Sequence, residues 1–171
     1  KILGASTTAL TLTDAAQRRI ADGLDRYAPR IVMRPQEVSN HPEVIRRLGL
    51  ISLNAALEVD LYGHVNSTHV GGTQVVNGIG GSGDFARNAA VSVFVAPSTA
   101  KGGRISTIVP MCTHVDHNEH STRVIVTEHG LADLRGLAPA ERAAALVANC
   151  AHPAYRDPLL RYLGRCRAGH L

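Results

Sequence analysis

The sequence predicts an α/β domain in which a mixed sheet is flanked by helices. Three observations carry this reading. Short apolar, β-branched runs, Val91–Ala96 and Arg123–Thr127 among them, alternate with segments patterned as helices. A glycine-rich run, Asn77–Phe85, switches at once into the helix-like Asp84-Phe85-Ala86-Arg87-Asn88-Ala89-Ala90. The 171 residues suffice for one domain with its own core, which rests on Val, Ile, Leu and Ala because Trp is absent and aromatics are few.

The elements follow in order. The first dozen residues, Thr-rich and apolar, read as a linker left from an upstream domain. Thr13 or Asp14 can cap a helix running to about Tyr27, with Ile20 and Leu24 spaced i, i+4 and Pro29 ending it. Ile31–Met33 is a short strand. Asn40 and Glu43 form a capping-box-like pair around Pro42, and Gly49 stops the helix they start. Leu50–Val59 alternates as a half-buried strand, Asp60-Leu61-Tyr62-Gly63 turns, and His64–Ser67 returns as a hairpin. After the glycine run come a buried strand at Val91–Ala96, a loop at Pro97–Arg104, and strands at Ile105–Val109 and Arg123–Thr127. Pro139–Cys150 is a helix with Leu146 and Val147 inward, and Pro153–Leu163 is the last helix. The expected division is residues 1–30 as linker and first helix, and 31–171 as the domain.

Composition narrows the function classes. The formal charge is +4 and the sequence pI near 9.3, spread without blocks of like charge. Basic and aromatic residues do not interleave as in single-strand nucleic-acid binders, so no nucleic-acid partner is expected. Cys112, Cys150 and Cys166 are odd in number and form no C-x-x-C, which points to neither a disulfide framework nor a zinc knuckle. A reducing cytoplasm fits this usage. No apolar run is long enough to span a membrane, and no signal peptide is visible.

The glycine run carries the chemistry. Gly78, Gly80, Gly81 and Gly83 fall within six positions just before a helix start. Such a turn lets a ligand approach the main chain and presents free N–H groups to an anion, either a bound phosphate or an oxyanion formed during reaction. The literal G-x-G-x-x-G match is not a dinucleotide fingerprint. The lead-in Gly71–Asn77 is glycine-broken, and no acidic residue lies between Asp84 and Asp116. The plainer alternative is a tight strand-to-helix turn with no ligand.

Asn77–Phe85 and Arg34-Pro35-Gln36-Glu37-Val38-Ser39-Asn40 together resemble the acetyl-CoA hydrolase/transferase family, which includes acyl-CoA:carboxylate CoA-transferases such as the succinyl-CoA:acetate type. Asn54–Gly63, Pro97–Lys101 and Val126–Gly136 extend the likeness, which runs from about Ile31 to Leu163. It covers the C-terminal domain only, and implies the CoA-transferase (NagB/RpiA-like) fold. It also implies a mechanism. A Glu attacks the acyl-CoA thioester to give an acyl-glutamyl anhydride, CoA thiolate converts this to a glutamyl-CoA thioester, and a second carboxylic acid reverses the steps.

Residue by residue, the resemblance implies Gly81 as an oxyanion-hole amide. It implies CoA contacts at Asn40, Gly81, Lys101 and Glu128. Each has a local alternative: Asn40 a helix N-cap, Lys101 a solvated surface lysine, Glu128 an exposed loop carboxylate or cap. The family's nucleophilic Glu and second oxyanion amide lie upstream of the matched segment. Glu37, Glu43, Glu58, Glu119, Glu128 and Glu141 do not align with that nucleophile. The chain is therefore expected to carry half of an active site and to be inactive alone.

His114-Val115-Asp116-His117-Asn118-Glu119-His120 could suggest a metal, but its spacing is not H-E-x-x-H, and a polar, hydrogen-bonded loop is expected instead. The resemblance likewise implies no metal. It implies CoA as a substrate, an acyl-CoA and a small carboxylate as partners, an upstream domain of the same enzyme, and a homodimer. Hydrolysis of acetyl-CoA on the same scaffold, and a non-catalytic CoA- or nucleotide-binding module, remain the alternative functions.

Overall fold

The computed structural model describes residues 5–9 and 12–169. The chain forms two compact units, Lys1–Leu48 and Gly49–Leu171.

The first unit contains β1 (Ala5–Thr7), α1 (Asp14–Asp22), α2 (Leu24–Tyr27), β2 (Ile31–Met33), α3 (Gln36–Ser39) and α4 (Pro42–Leu48). The expected linker is thus partly a strand, since β1 pairs parallel to β2 with Ser6 opposite Val32. Residues 1–4, 10 and 11 of that linker lie outside the described residues. Thr13 caps α1, its hydroxyl accepting the Ala16 N–H at 3.4 Å. The single helix expected to Tyr27 is broken at Gly23, where glycine costs helix about 1 kcal/mol relative to Ala. The capping box expected from Asn40 does not form. Asn40 closes α3 instead, its N–H donating to Gln36 and Val38 carbonyls. His41 starts α4, with Nδ1 accepting from Glu43 N–H at 3.3 Å and its carbonyl accepting from Ile45 N–H at 3.0 Å.

The second unit begins with β3 (Ile51–Ala55), β4 (Glu58–Asp60), β5 (Val65–Asn66), β6 (His69–Val70), β7 (Gln74–Val75), α5 (Ser82–Asn88) and β8 (Val91–Val95). It continues through β9 (Thr99–Ala100), β10 (Ile105–Ser106), β11 (Ile108–Val109), β12 (Val124–Thr127), β13 (Gly130–Asp133), α6 (Pro139–Asn149) and α7 (Pro153–Arg167). Its main sheet has the order β13-β12-β8-β3 and is mixed: β3, β8 and β12 run parallel, β13 antiparallel. A smaller sheet has the order β11-β4-β5. The α/β expectation holds.

Two expected strands divide. Leu50–Val59 becomes β3 and β4, in different sheets. Ala56 N–H still pairs with Val95 O on β8, whereas Leu57 N–H pairs with Asn66 O on the other sheet. Ile105–Val109 becomes β10 and β11 around Thr107, whose hydroxyl donates to Pro97 O at 2.5 Å. The expected Pro97–Arg104 loop is a hairpin, β9 against β10.

Alternation places Phe94, Ile125 and Ala132 on the sheet face that meets Ala86 of α5, Leu146 and Val147 of α6, and Leu159 and Leu163 of α7. Val59, Val65 and Ile108 of the smaller sheet, with Leu61 in the turn between β4 and β5, close this core. The opposite face exposes Ile51, Leu53, Val95 and Leu131.

Candidate functional site

Three of the four expected site residues gather at one end of the second unit. Glu128 directly follows β12, and Ser98 lies three residues past the end of β8, its parallel neighbour. Lys101 tips the hairpin that Ser98 leads into. α5 packs on β8 and connects to it through only Ala89 and Ala90, so it runs back along the strand and brings its N-terminus, Gly81, to the same end. This is the carboxyl edge of the sheet's three parallel strands, where open α/β sheets hold ligands. Asn40 belongs to the first unit. It is half-buried, and its Oδ1 accepts the Ser39 hydroxyl at 3.0 Å.

The glycine run reverses the chain before α5. Gly80 takes φ 55°, the left-handed region that Cβ-bearing residues avoid, and so needs to be glycine. Gly81 follows at φ −83°, ψ 3°. Its carbonyl accepts the Phe85 N–H at 3.0 Å. Among the described residues no backbone or side-chain acceptor takes its N–H. The Ser82 side chain locks the turn, donating from Oγ to Ile79 O at 2.7 Å and meeting His117 Nε2 at 3.1 Å.

At the hairpin tip, Lys101 has φ 50°, the one positive-φ residue other than glycine among those described, followed by Gly102 and Gly103 at 67° and 85°. Arg104 Nε donates to Lys101 O at 3.0 Å, and Tyr155 of α7 donates its hydroxyl to Gly103 O at 2.8 Å. The tip is thus pinned through its backbone, while the Lys101 side chain stands exposed.

Glu128 is exposed yet ordered. Ser98 donates from Oγ to Oε1 at 2.5 Å and from its N–H to Oε2 at 2.7 Å. These bonds, the hydroxyl's foremost, with Glu128's own N–H, hold its pKa down to about 2, so it stays a carboxylate. His129 Nε2 lies 3.7 Å from Oε1.

The histidine-rich run is knit to the strands around it. His64 bridges two carboxylates, with Nδ1 2.8 Å from Asp60 and Nε2 2.7 Å from Glu119. Asp116 receives the Ser67 N–H at 2.7 Å and the Thr68 hydroxyl at 2.8 Å. Burial pushes its pKa up, but these bonds and nearby His114 outweigh that and bring it below the ordinary value. His69, His114 and Asp116 offer ligand atoms within 4.8 Å of one another. The two rings, however, lie 3.7 Å apart at 31°, and Thr68 Oγ1 already contacts His69 Nδ1 at 2.6 Å. Two imidazoles sharing one cation would have to fan apart from this stacked arrangement.

Residues 17–163 match the model of the acetyl-CoA hydrolase/transferase C-terminal domain. The chain belongs to that family. The propanoyl-CoA:succinate CoA transferase of Escherichia coli is 61% identical over all of this chain and 35% of its own length. The acetyl-CoA hydrolase of Kluyveromyces lactis is 50% identical over 94% of this chain and 32% of its own. The solved 4-hydroxybutyrate CoA-transferase of Porphyromonas gingivalis superposes with TM-score 0.67 at 32% identity, over 86% of this chain and 35% of that one. The chain therefore spans about a third of the length of the curated relatives it matches. Among the described residues no helix is long and apolar enough to cross a membrane.

The sequence reading missed two residues of this family domain. Ser98, wholly buried, sets Glu128, and His117, also buried, reaches the glycine turn. Pro97-Ser98 preceding the glycine-flanked Lys101 was a faint signal for the first. Nothing local marks one histidine of three for burial.

Proposed function

We propose that the full-length protein transfers CoA between an acyl-CoA and a small carboxylic acid, and that this domain supplies its CoA-handling half. The reading rests on the N–H of Gly81, which meets no acceptor among the described residues at the carboxyl edge of the sheet. A tetrahedral intermediate at a thioester carbonyl needs a waiting donor of that kind. Lys101 reaches from the pinned hairpin tip toward CoA phosphate or amide groups, and Glu128 meets the CoA chain as a fixed carboxylate; Asn40 is a further proposed CoA contact. The nucleophilic glutamate and second oxyanion donor come from an upstream domain. Attack by that glutamate forms an acyl-glutamyl anhydride as the thioester C–S bond breaks and CoA thiolate leaves; the thiolate then attacks the glutamyl carbonyl, forming the glutamyl-CoA thioester and expelling the first acyl group as its carboxylate. CoA serves as substrate and no metal is required. The enzyme works as a homodimer in the cytoplasm.

Hydrolysis, with water taking the acyl group, is the second reading. The acetyl-CoA hydrolase relative at 50% identity favours it, and the transferase relative at 61% outweighs it. The test supplies acetyl-CoA to the full-length protein with and without succinate. Succinate-dependent formation of succinyl-CoA is expected. Release of free CoA at an equal rate without an acceptor acid would instead establish the hydrolase. The 171 residues alone are expected to do neither.

A further inference from the structure

His117 is the buried histidine of the polar run, and its position is set by backbone on both sides. Its N–H donates to Val65 O at 3.0 Å and its carbonyl accepts the Val65 N–H at 2.8 Å, an antiparallel bridge to β5. The ring packs against Phe94 of the main sheet, centroids 4.9 Å apart at 38°. From there Nε2 reaches Ser82 Oγ at 3.1 Å. That hydroxyl has one proton, committed to Ile79 O at 2.7 Å. Nε2 must therefore carry the ring's proton and donate it to Ser82. Nδ1 is left as a buried lone pair with no partner among the described residues. The other tautomer would strand a buried N–H donor and face Ser82 with an acceptor it cannot satisfy. Unpaired buried groups are costly, so one retained here calls for a reason.

We propose that His117 is a positioning residue for the reaction: through Ser82 it holds the 79–82 turn in the conformation in which the Gly81 N–H meets no acceptor among the described residues. The role rests on the reading of Gly81 as an oxyanion donor. The chain of contacts runs from β5 through the imidazole and the Ser82 hydroxyl to the Ile79 carbonyl, and Gly81 sits between the last two. The ring stays neutral, because burial disfavours its charge and Arg87 opposes it, while Asp116 only partly compensates.

The test uses the full-length enzyme. His117→Leu removes the donor, and His117→Gln returns an N–H at similar reach. His117→Leu is expected to lower kcat about 10- to 100-fold, the scale for a catalytic group displaced by about an ångström, with little change in KM for the acyl-CoA. His117→Gln should recover most of the rate. Hydrogen exchange over residues 79–85 should quicken about tenfold or more in the Leu variant and return toward normal in the Gln variant. If His117→Leu fails to fold, Ser82→Ala cuts the same contact from the turn side and must show the same kcat loss. A kcat loss in Leu that Gln does not relieve would overturn the positioning role. Full activity of both His117→Leu and Ser82→Ala alongside a disabled Gly81→Val would overturn it while leaving the oxyanion reading intact. Full activity of all three would overturn that reading as well.

Discussion

Ser98 occupies both carboxylate oxygens of Glu128, its hydroxyl on Oε1 at 2.5 Å and its N–H on Oε2 at 2.7 Å. The pair clips the loop after β8 to the end of β12, two parallel neighbours whose carboxyl ends form the candidate site. A single buried serine thus gives an exposed carboxylate one orientation and a fixed charge.

Removing the clip should be visible as a titration. Ser98→Ala takes away the hydroxyl bond that contributes most to the depressed pKa of Glu128, now about 2. The pKa should climb toward the ordinary glutamate value of about 4.3. Because the folded value is depressed, the clip stabilises the fold above the unfolded pKa, and that contribution is lost as pH falls toward about 2. Carbon NMR of the Glu128 carboxyl follows this directly. An unmoved midpoint in the Ala variant would remove Ser98 as the cause.

Lys101 allows conformation and charge to be separated. Its left-handed backbone costs an ordinary residue about 1–2 kcal/mol. Lys101→Gly should relieve that cost and stabilise the hairpin, yet weaken CoA binding by about 1–3 kcal/mol, the range for a charge-assisted hydrogen bond. Lys101→Ala should lose the same affinity without the gain in stability. Calorimetric titration of CoA into the full-length protein measures the first quantity and thermal unfolding the second. Unchanged affinity in both variants would leave Lys101 a solvated surface residue.

Gly81 has φ −83°, outside the left-handed region, so its backbone does not require glycine and Gly81→Val should keep the fold. A branched side chain beside the amide would keep the thioester carbonyl from its donor. The expected loss in kcat is about 10²–10³, the usual cost of one oxyanion donor. Gly80→Val should instead damage the turn, since its φ is 55°. Circular dichroism beside the rate assay distinguishes the two.

The pH dependence of stability should carry the mark of His117. Burial lowers its pKa, with Arg87 adding to the effect and Asp116 opposing it. The unfolded chain then binds more protons than the folded one below about pH 6.5, the ordinary histidine value. Stability should be level above that pH and decline as pH falls below it. Asp116, Glu119 and Glu128 are depressed carboxylates, and their losses come lower, beneath about pH 4. Denaturant unfolding of His117→Gln between about pH 5 and 8 should show a flatter slope. An identical slope would assign the decline to other groups.

Much of this was legible because it is local. The glycine turn, the buried Val91–Val95 strand, the β4–β5 hairpin and the helices starting at Pro139 and Pro153 rest on neighbours a few residues apart. The family motifs are contiguous too, so Gly81, Lys101 and Glu128 could be named before their positions were known.

What the sequence alone determined is where glycine must bend the chain and which residue types stand beside the bend. Other features needed the folded chain. Leu50–Val59 reads as a continuous strand, yet at Ala56 and Leu57 it changes partners between two sheets, a choice made by Val95 and Asn66. Asn40 is the cap the residue type favours, yet α3 ends at Asn40 and leaves the start of α4 to His41. The histidines at 114, 117 and 120 differ little in their neighbours along the chain. Only His117 is drawn inside, by a backbone bridge to Val65 and a face against Phe94. Burial and hydrogen-bond partnership come from residues distant in sequence, so no local pattern records them, and they decide which polar groups hold the site.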